Sequence, residues 1–92
     1  MILLLEVECF LYNAHSLKEK RSVLKKLLSR LRREFNVSVA ELDNQDLWQR
    51  TKIGIVTIAN DRTFAEQVID KVLTTIDACP ELERTITDIH HL

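Results

Sequence analysis

HSLKEKRSVLKKLLSRLRREF, His15–Phe35, decides how this chain folds. Leu17, Leu24, Leu28, Leu31 and Phe35 recur every three to four residues, with Leu27 widening the stripe, so the segment predicts an amphipathic helix with one face turned to a core. Ser16 stands before the first apolar residue and Glu19 follows three positions on, the spacing of a capping box in which each side chain satisfies the other's amide. The helix is expected to end at Glu34 or Phe35, with Asn36 as its C-terminal cap. It is also the positive pole of the molecule. Leu17 to Glu34 carries eight Lys and Arg against Glu19 and Glu34, a balance of plus six, while the other residues hold five cations and twelve anions in a chain of net charge −1.

Upstream, Ile2 to Tyr12 alternates. Leu3, Leu5, Val7, Cys9 and Leu11 fall on one face, and Ile2, Leu4, Glu6, Glu8, Phe10 and Tyr12 fall on the other, which predicts a strand with one wholly apolar side. Asn13 and Ala14 turn it into the basic helix. Downstream, Val37 to Asp43 is β-branched and short, a second strand. Asn44, Gln45 and Asp46 are turn formers leading through Leu47, Trp48, Gln49 and Arg50 to a third strand over Thr51 to Ala59, with Ile53, Ile55, Val56 and Ile58 apolar on both faces and Gly54 giving backbone room. Asn60 and Asp61 offer caps for a second helix with a stripe of Phe64, Val68, Ile69, Val72, Leu73 and Ile76, ending near Cys79 before Pro80. Leu82 to Ile89 reads as a last strand, with His90, His91 and Leu92 as a tail.

The order strand, helix, strand, strand, helix, strand, with a hairpin between two right-handed crossovers, points to an α+β ferredoxin-like βαββαβ sandwich: an antiparallel four-stranded sheet with both helices on one face. Ninety-two residues suit a single domain spanning 1–92. Glu6 and Glu8 interrupt the apolar start, and neither a basic leader nor a cleavage site accompanies it, so no signal peptide and a cytoplasmic location are expected. Cys9 and Cys79 lack CxxC spacing and clustered His, which points to reduced, buried thiols and away from a disulfide framework or a zinc site.

Two blocks, HSLKEKRSVLKKLLSRLRREFNVSVAELD from His15 and DLWQR from Asp46, resemble the YlxP-like family of small bacterial proteins, a family of unknown function similar to ferredoxin-like folds. Genes of that family commonly lie beside those for transcription elongation, translation initiation and ribosome maturation factors. The resemblance therefore implies a role near RNA or the ribosome by association alone, and it supplies no catalytic residues.

The residues themselves suggest a surface. Lys18, Lys20, Arg21, Lys25, Lys26 and Arg33 are the candidate phosphate contacts, because closely spaced ammonium and guanidinium groups displace counterions from a nucleic-acid backbone. The competing reading is a solvated helix face neutralised by acids such as Glu66, Asp70 and Glu83. Trp48 is a second candidate, stacking on a base while Arg50 holds the phosphate, although burial at the end of the core is the commoner fate of so large a ring. Arg50 and Lys52 are expected on one sheet face. Phe10 and Tyr12 faintly resemble the first-strand aromatics of RNA-recognition sheets, yet the third strand offers no ring to match. Burial against a partner is the expected fate of Ile2, Leu4, Phe10 and Tyr12, through homodimerisation on the open face or an edge.

His15, just before the helix cap, reads as a hydrogen-bonding or staple residue, or as a contact to a ligand at the helix start. His90 and His91 would point to opposite sides of a strand. Glu41, Asp43 and Asp46 are acids of a kind that holds magnesium in an RNA complex, or that simply solvates a hairpin end. The chain shows no nucleophile–base pair, glycine-rich phosphate loop or metal-ligand spacing. The reading is thus a non-enzymatic RNA- or ribonucleoprotein-binding module with no cofactor. Its rival is a homodimeric protein-interaction module that docks its cationic helix on an acidic protein, a partner separable from RNA by nuclease treatment.

Overall fold

The computed structural model describes residues 1–44 and 46–92; the turn-forming role read for Gln45 lies outside the described residues. The order is β1 (Ile2–Leu11), α1 (Leu17–Glu34), β2 (Val37–Asp43), β3 (Arg50–Ile58), α2 (Arg62–Asp77) and β4 (Leu82–His91). The strands form one sheet in the order β2-β3-β1-β4, with every neighbouring pair antiparallel. Each β–α–β unit therefore skips one sheet position, which the other unit fills. This is the ferredoxin-like sandwich.

The alternation of β1 is obeyed at every residue. Leu3, Leu5, Val7, Cys9 and Leu11 are buried and the intervening residues are partly exposed. From β3, Ile53 and Ile55 join the same layer. Leu24, Leu27, Leu28 and Leu31 of α1 and Ala65, Val68, Ile69, Val72 and Ile76 of α2 complete one buried cluster, so both helices lie on the face carrying the odd-numbered residues of β1. At about 25 cal/mol per Å² of apolar surface, each buried Leu, Ile or Val contributes roughly 1.5–3 kcal/mol.

Both helix starts are capped as their sequences require. Ser16 Oγ accepts from the Glu19 amide at 3.1 Å and Asp61 Oδ1 from the Phe64 amide at 2.9 Å. Glu19 reaches back one residue further than a standard capping box, its Oε2 accepting from the amide of His15 at 2.7 Å. Phe35, not Asn36, caps the C-terminus of α1. Asn36 instead donates its side-chain amide to the Ile58 carbonyl at 3.2 Å, tying the end of the helix to β3. Asn13 and Asn44 both have positive φ, 60° and 64°, a left-handed backbone that asparagine tolerates in tight turns.

Three details differ from the sequence reading. Strand β4 runs on to His91, because Leu3 and Leu4 still pair with His91 and His90. Phe64 is exposed, and the buried stripe of α2 instead takes in Ala65 and Thr75. Ile58 lies on the open face, 60% exposed. Two bulges adjust the sheet: Thr85 is the extra residue opposite Glu8 and Cys9, and Leu42 the extra one between Glu41 and Asp43. Leu42 then lies over Gly54, with Cδ1 at 2.7 Å from where a Cβ would sit, so the glycine supplies the close approach. Bidentate hydrogen bonds from Arg84 to Asp77, at 2.9 and 2.8 Å, fasten the end of α2 to β4.

Candidate nucleic-acid interface

Seven of the eight cations of α1 project from the exposed side of the helix. Arg30 is paired with Glu34 at 3.1 Å, and Arg32 donates to the Val39 carbonyl at 3.2 Å, which covers part of the outer edge of β2. Lys18, Arg21, Lys25, Lys26 and Arg33 are exposed and form no ion pair among the described residues. At about 100° per residue these five occupy an arc of roughly 140° that begins beside Leu28 at Arg21 and turns away from the buried leucines. The acids expected to neutralise them are engaged elsewhere or exposed on α2: Glu66 pairs with Arg62 at 2.6 Å, and Glu83 accepts from the Tyr12 hydroxyl at 2.7 Å.

Lys20 does not belong to this set. It is 1% exposed, its Nζ 2.6 Å from the Asn44 carbonyl and 2.9 Å from Glu41 Oε2. Its spacing explains this: four residues before Leu24, seven before Leu27 and eleven before Leu31, it sits in the middle of the apolar stripe. The register of the leucines carried that signal. Buried there, Lys20 fastens α1 to the start of the β2–β3 loop. The same Glu41 Oε2 also accepts from the Thr51 hydroxyl at 2.6 Å, and Asp43 accepts from the Asn44 amide at 2.8 Å. Two of the three acids considered for magnesium, Glu41 and Asp43, are thus engaged within the fold, while Asp46 is exposed in the loop. Among the described residues no three His, Cys, Asp or Glu converge as metal ligands.

Trp48 is exposed, contrary to the expectation of burial; the core closes without it on Leu11, Ala14 and Leu82. With Phe10, Asp46, Leu47, Gln49 and Arg50 it lines a shallow groove of about 400 Å³ where the β2–β3 loop meets the end of β1. The Phe10 ring stands edge-on to Tyr12, centroids 5.4 Å apart. The Leu11 amide donates to the Gln49 carbonyl at 2.8 Å, which anchors the loop to the sheet. The structure thus unites Trp48 with Arg50, and it leaves both at the sheet end, off the exposed arc of α1.

The open face is banded. Ile2, Leu4, Val56, Ile58 and Leu92 make an apolar end. In the centre Glu6 lies 3.1 Å from Lys52 Nζ and 3.0 Å from His90 Nε2. The hydrogen bond from Lys52 is the main cause holding the Glu6 carboxyl below its ordinary range, and the same bond raises the lysine. Arg50 and Lys52 share this face, opposite Phe10 and Glu8. The open-face residues of β3 are Arg50, Lys52, Gly54, Val56 and Ile58, without a ring, so no paired aromatic platform exists across the two central strands. His90 and His91 point to opposite faces, as the alternation requires. His15 contributes its backbone amide to the cap of α1. Burial pushes the Cys9 thiol up to about 11, and also raises Cys79.

The model of the family described as "Protein of unknown function (DUF503)" matches residues 2–89. The chain belongs to this family. It is 51% identical over 87 residues to the "Uncharacterized protein YlxP" of Bacillus subtilis (strain 168), a match covering 95% of each chain. Among solved structures it is similar to the de novo designed protein Foldit4, with a TM-score of 0.63 at 14% identity, covering 100% of this chain and 99% of that one. That likeness shows the fold alone. Among the described residues no helix is long and apolar enough to cross a membrane.

Proposed function

We propose that the protein is a non-enzymatic, cytoplasmic RNA- or ribonucleoprotein-binding module whose helix α1 holds phosphates through Lys18, Arg21, Lys25, Lys26 and Arg33. One observation carries this reading: five exposed cations on a single helix lack carboxylate partners among the described residues. Such an arc concentrates a positive field on one side of a chain that is slightly acidic as a whole, and a polyanion is the ligand that gains most from it. Trp48 and Arg50 are a secondary contact. Ribosomal RNA is the first substrate to test. Changing Lys25, Lys26 and Arg33 together to Glu should abolish binding at moderate salt while leaving the thermal transition in place, since all three are exposed. Unchanged affinity in that variant would remove the proposal.

A second reading has its own support in the apolar end of the open face, where Ile58 is 60% and Leu92 71% exposed beside Ile2 and Leu4. Self-association through this patch would make a two-fold homodimer, leaving α1 to dock on an acidic protein. Sedimentation of the wild type and of Ile58→Glu decides the dimer, and partner capture before and after nuclease treatment decides between protein and RNA.

A further inference from the structure

We infer that the Trp48 groove takes an unpaired nucleobase, so that the module prefers single-stranded RNA to duplex. This deepens the phosphate-binding reading of α1 and rests on it. A phosphate-binding helix by itself is indifferent to strandedness. A solvent-facing aromatic surface adds selectivity, because bases in a duplex are stacked on one another and unpaired bases are free to stack on a side chain.

Three features make the groove suited to a flat ring. Trp48 is 52% exposed, and the groove it lines, about 400 Å³, is shared with Phe10, Leu47, Gln49 and Arg50. The described loop residues are tied down at three points: Lys20 Nζ binds the Asn44 carbonyl at 2.6 Å, the Leu47 amide donates to that carbonyl at 3.1 Å, and the Leu11 amide donates to the Gln49 carbonyl at 2.8 Å. Finally, the polar groups around the ring fit a nucleotide. Arg50 is exposed and forms no ion pair among the described residues, so its guanidinium is available to a phosphate; Asp46 and Gln49 offer an acceptor and an amide to base edges. The bond from Lys20 also ties the loop start to the first turns of α1.

Trp48 is the only tryptophan in the chain, so intrinsic emission reports on this site alone. The full-length protein is titrated with adenosine monophosphate, a single-stranded oligoadenylate and an RNA duplex of equal length, following both emission and the anisotropy of end-labelled RNA. The expected result is quenching by the oligonucleotide and by the mononucleotide, with no emission change on adding duplex. Trp48→Leu should weaken the oligonucleotide about five- to hundredfold, Trp48→Phe should keep most of the affinity, and neither should alter duplex binding. Oligonucleotide binding without an emission change, or with equal affinity in Trp48→Leu, overturns the inference. If neither RNA binds, the α1 reading falls instead. The mononucleotide then judges the groove: saturable quenching of Trp48 that weakens in Arg50→Gln, a variant that keeps the reporter, retains it as a base site, and no quenching removes it as well.

Discussion

Lys20 Nζ lies 2.9 Å from Glu41 Oε2 with its side chain 1% exposed, while the carboxylate remains 19% exposed. A cation from the most basic helix is thereby withdrawn from the surface and used to fix the register of α1 on β2. The asymmetry of the burial sets the consequence of breaking the pair.

Lys20→Met leaves Glu41 with the Thr51 hydroxyl and partial access to water, and should cost about 2–3 kcal/mol. Glu41→Gln strands the more deeply buried charge and should cost more, about 3–5 kcal/mol. Urea denaturation measures both. Because Lys20 also holds the Asn44 carbonyl, Lys20→Met should shift the emission of Trp48 even in native buffer; an unchanged spectrum would mean that the loop is held without it.

The Glu6–Lys52–His90 cluster should make stability fall in acid. The carboxyl titrates below its ordinary 4.5 in the folded chain, so the folded state holds fewer protons than the unfolded state on the acid side. Its contribution is present above pH 4.5 and is lost as pH falls through the lowered value. Lys52 adds no slope in that range; its raised value matters only above 10.5. Thermal melts of Glu6→Gln against wild type should therefore converge as pH falls below 4.5, with the variant less stable at neutral pH. Parallel curves would show that Glu6 does not carry the acid dependence.

The two thiols should react at different rates. Desolvation lifts Cys9 from an ordinary 9.0 to about 11, so its thiolate fraction near pH 8 is about a hundredfold below that of a free thiol, and the side chain is 1% exposed. Cys79 is also raised, chiefly by burial, but is only partly enclosed. Alkylation followed by peptide mass analysis should modify Cys79 first and Cys9 only on unfolding.

Most of the fold was legible because its signals are local and redundant. The alternation of β1, the leucine register of α1 and the caps at Ser16 and Asp61 each fix an element independently of tertiary context. What escaped were features decided by neighbours. Phe64 carries the spacing of a core residue, yet it lies at the start of α2 beyond the edge of the buried layer. Trp48 has the size of a core residue, but the loop that carries it projects past a core already sealed by Leu11 and Leu82. Lys20 is the instructive case, since its position within the apolar stripe was visible while its charge argued for the surface. What resolves the conflict is Glu41 and the Asn44 carbonyl, both more than twenty residues away.

The same distinction between free and engaged cations predicts how binding should depend on salt. If all five free residues of α1 contact phosphates, the logarithm of the binding constant should fall against the logarithm of salt with a slope of about −3.5 to −4.5. Neutralising Lys25 or Arg33 should each make that slope shallower by about 0.7–0.9, because one counterion fewer is displaced. Arg30→Gln removes a cation already paired with Glu34 at 3.1 Å, so the slope should change by less than half as much. Lys20→Met should leave the slope unaltered where the protein stays folded, since its ammonium already serves Glu41 and Asn44. Equal slope changes at Lys25, Arg30 and Lys20 would mean that RNA responds to net charge alone and that the exposed arc has no special role.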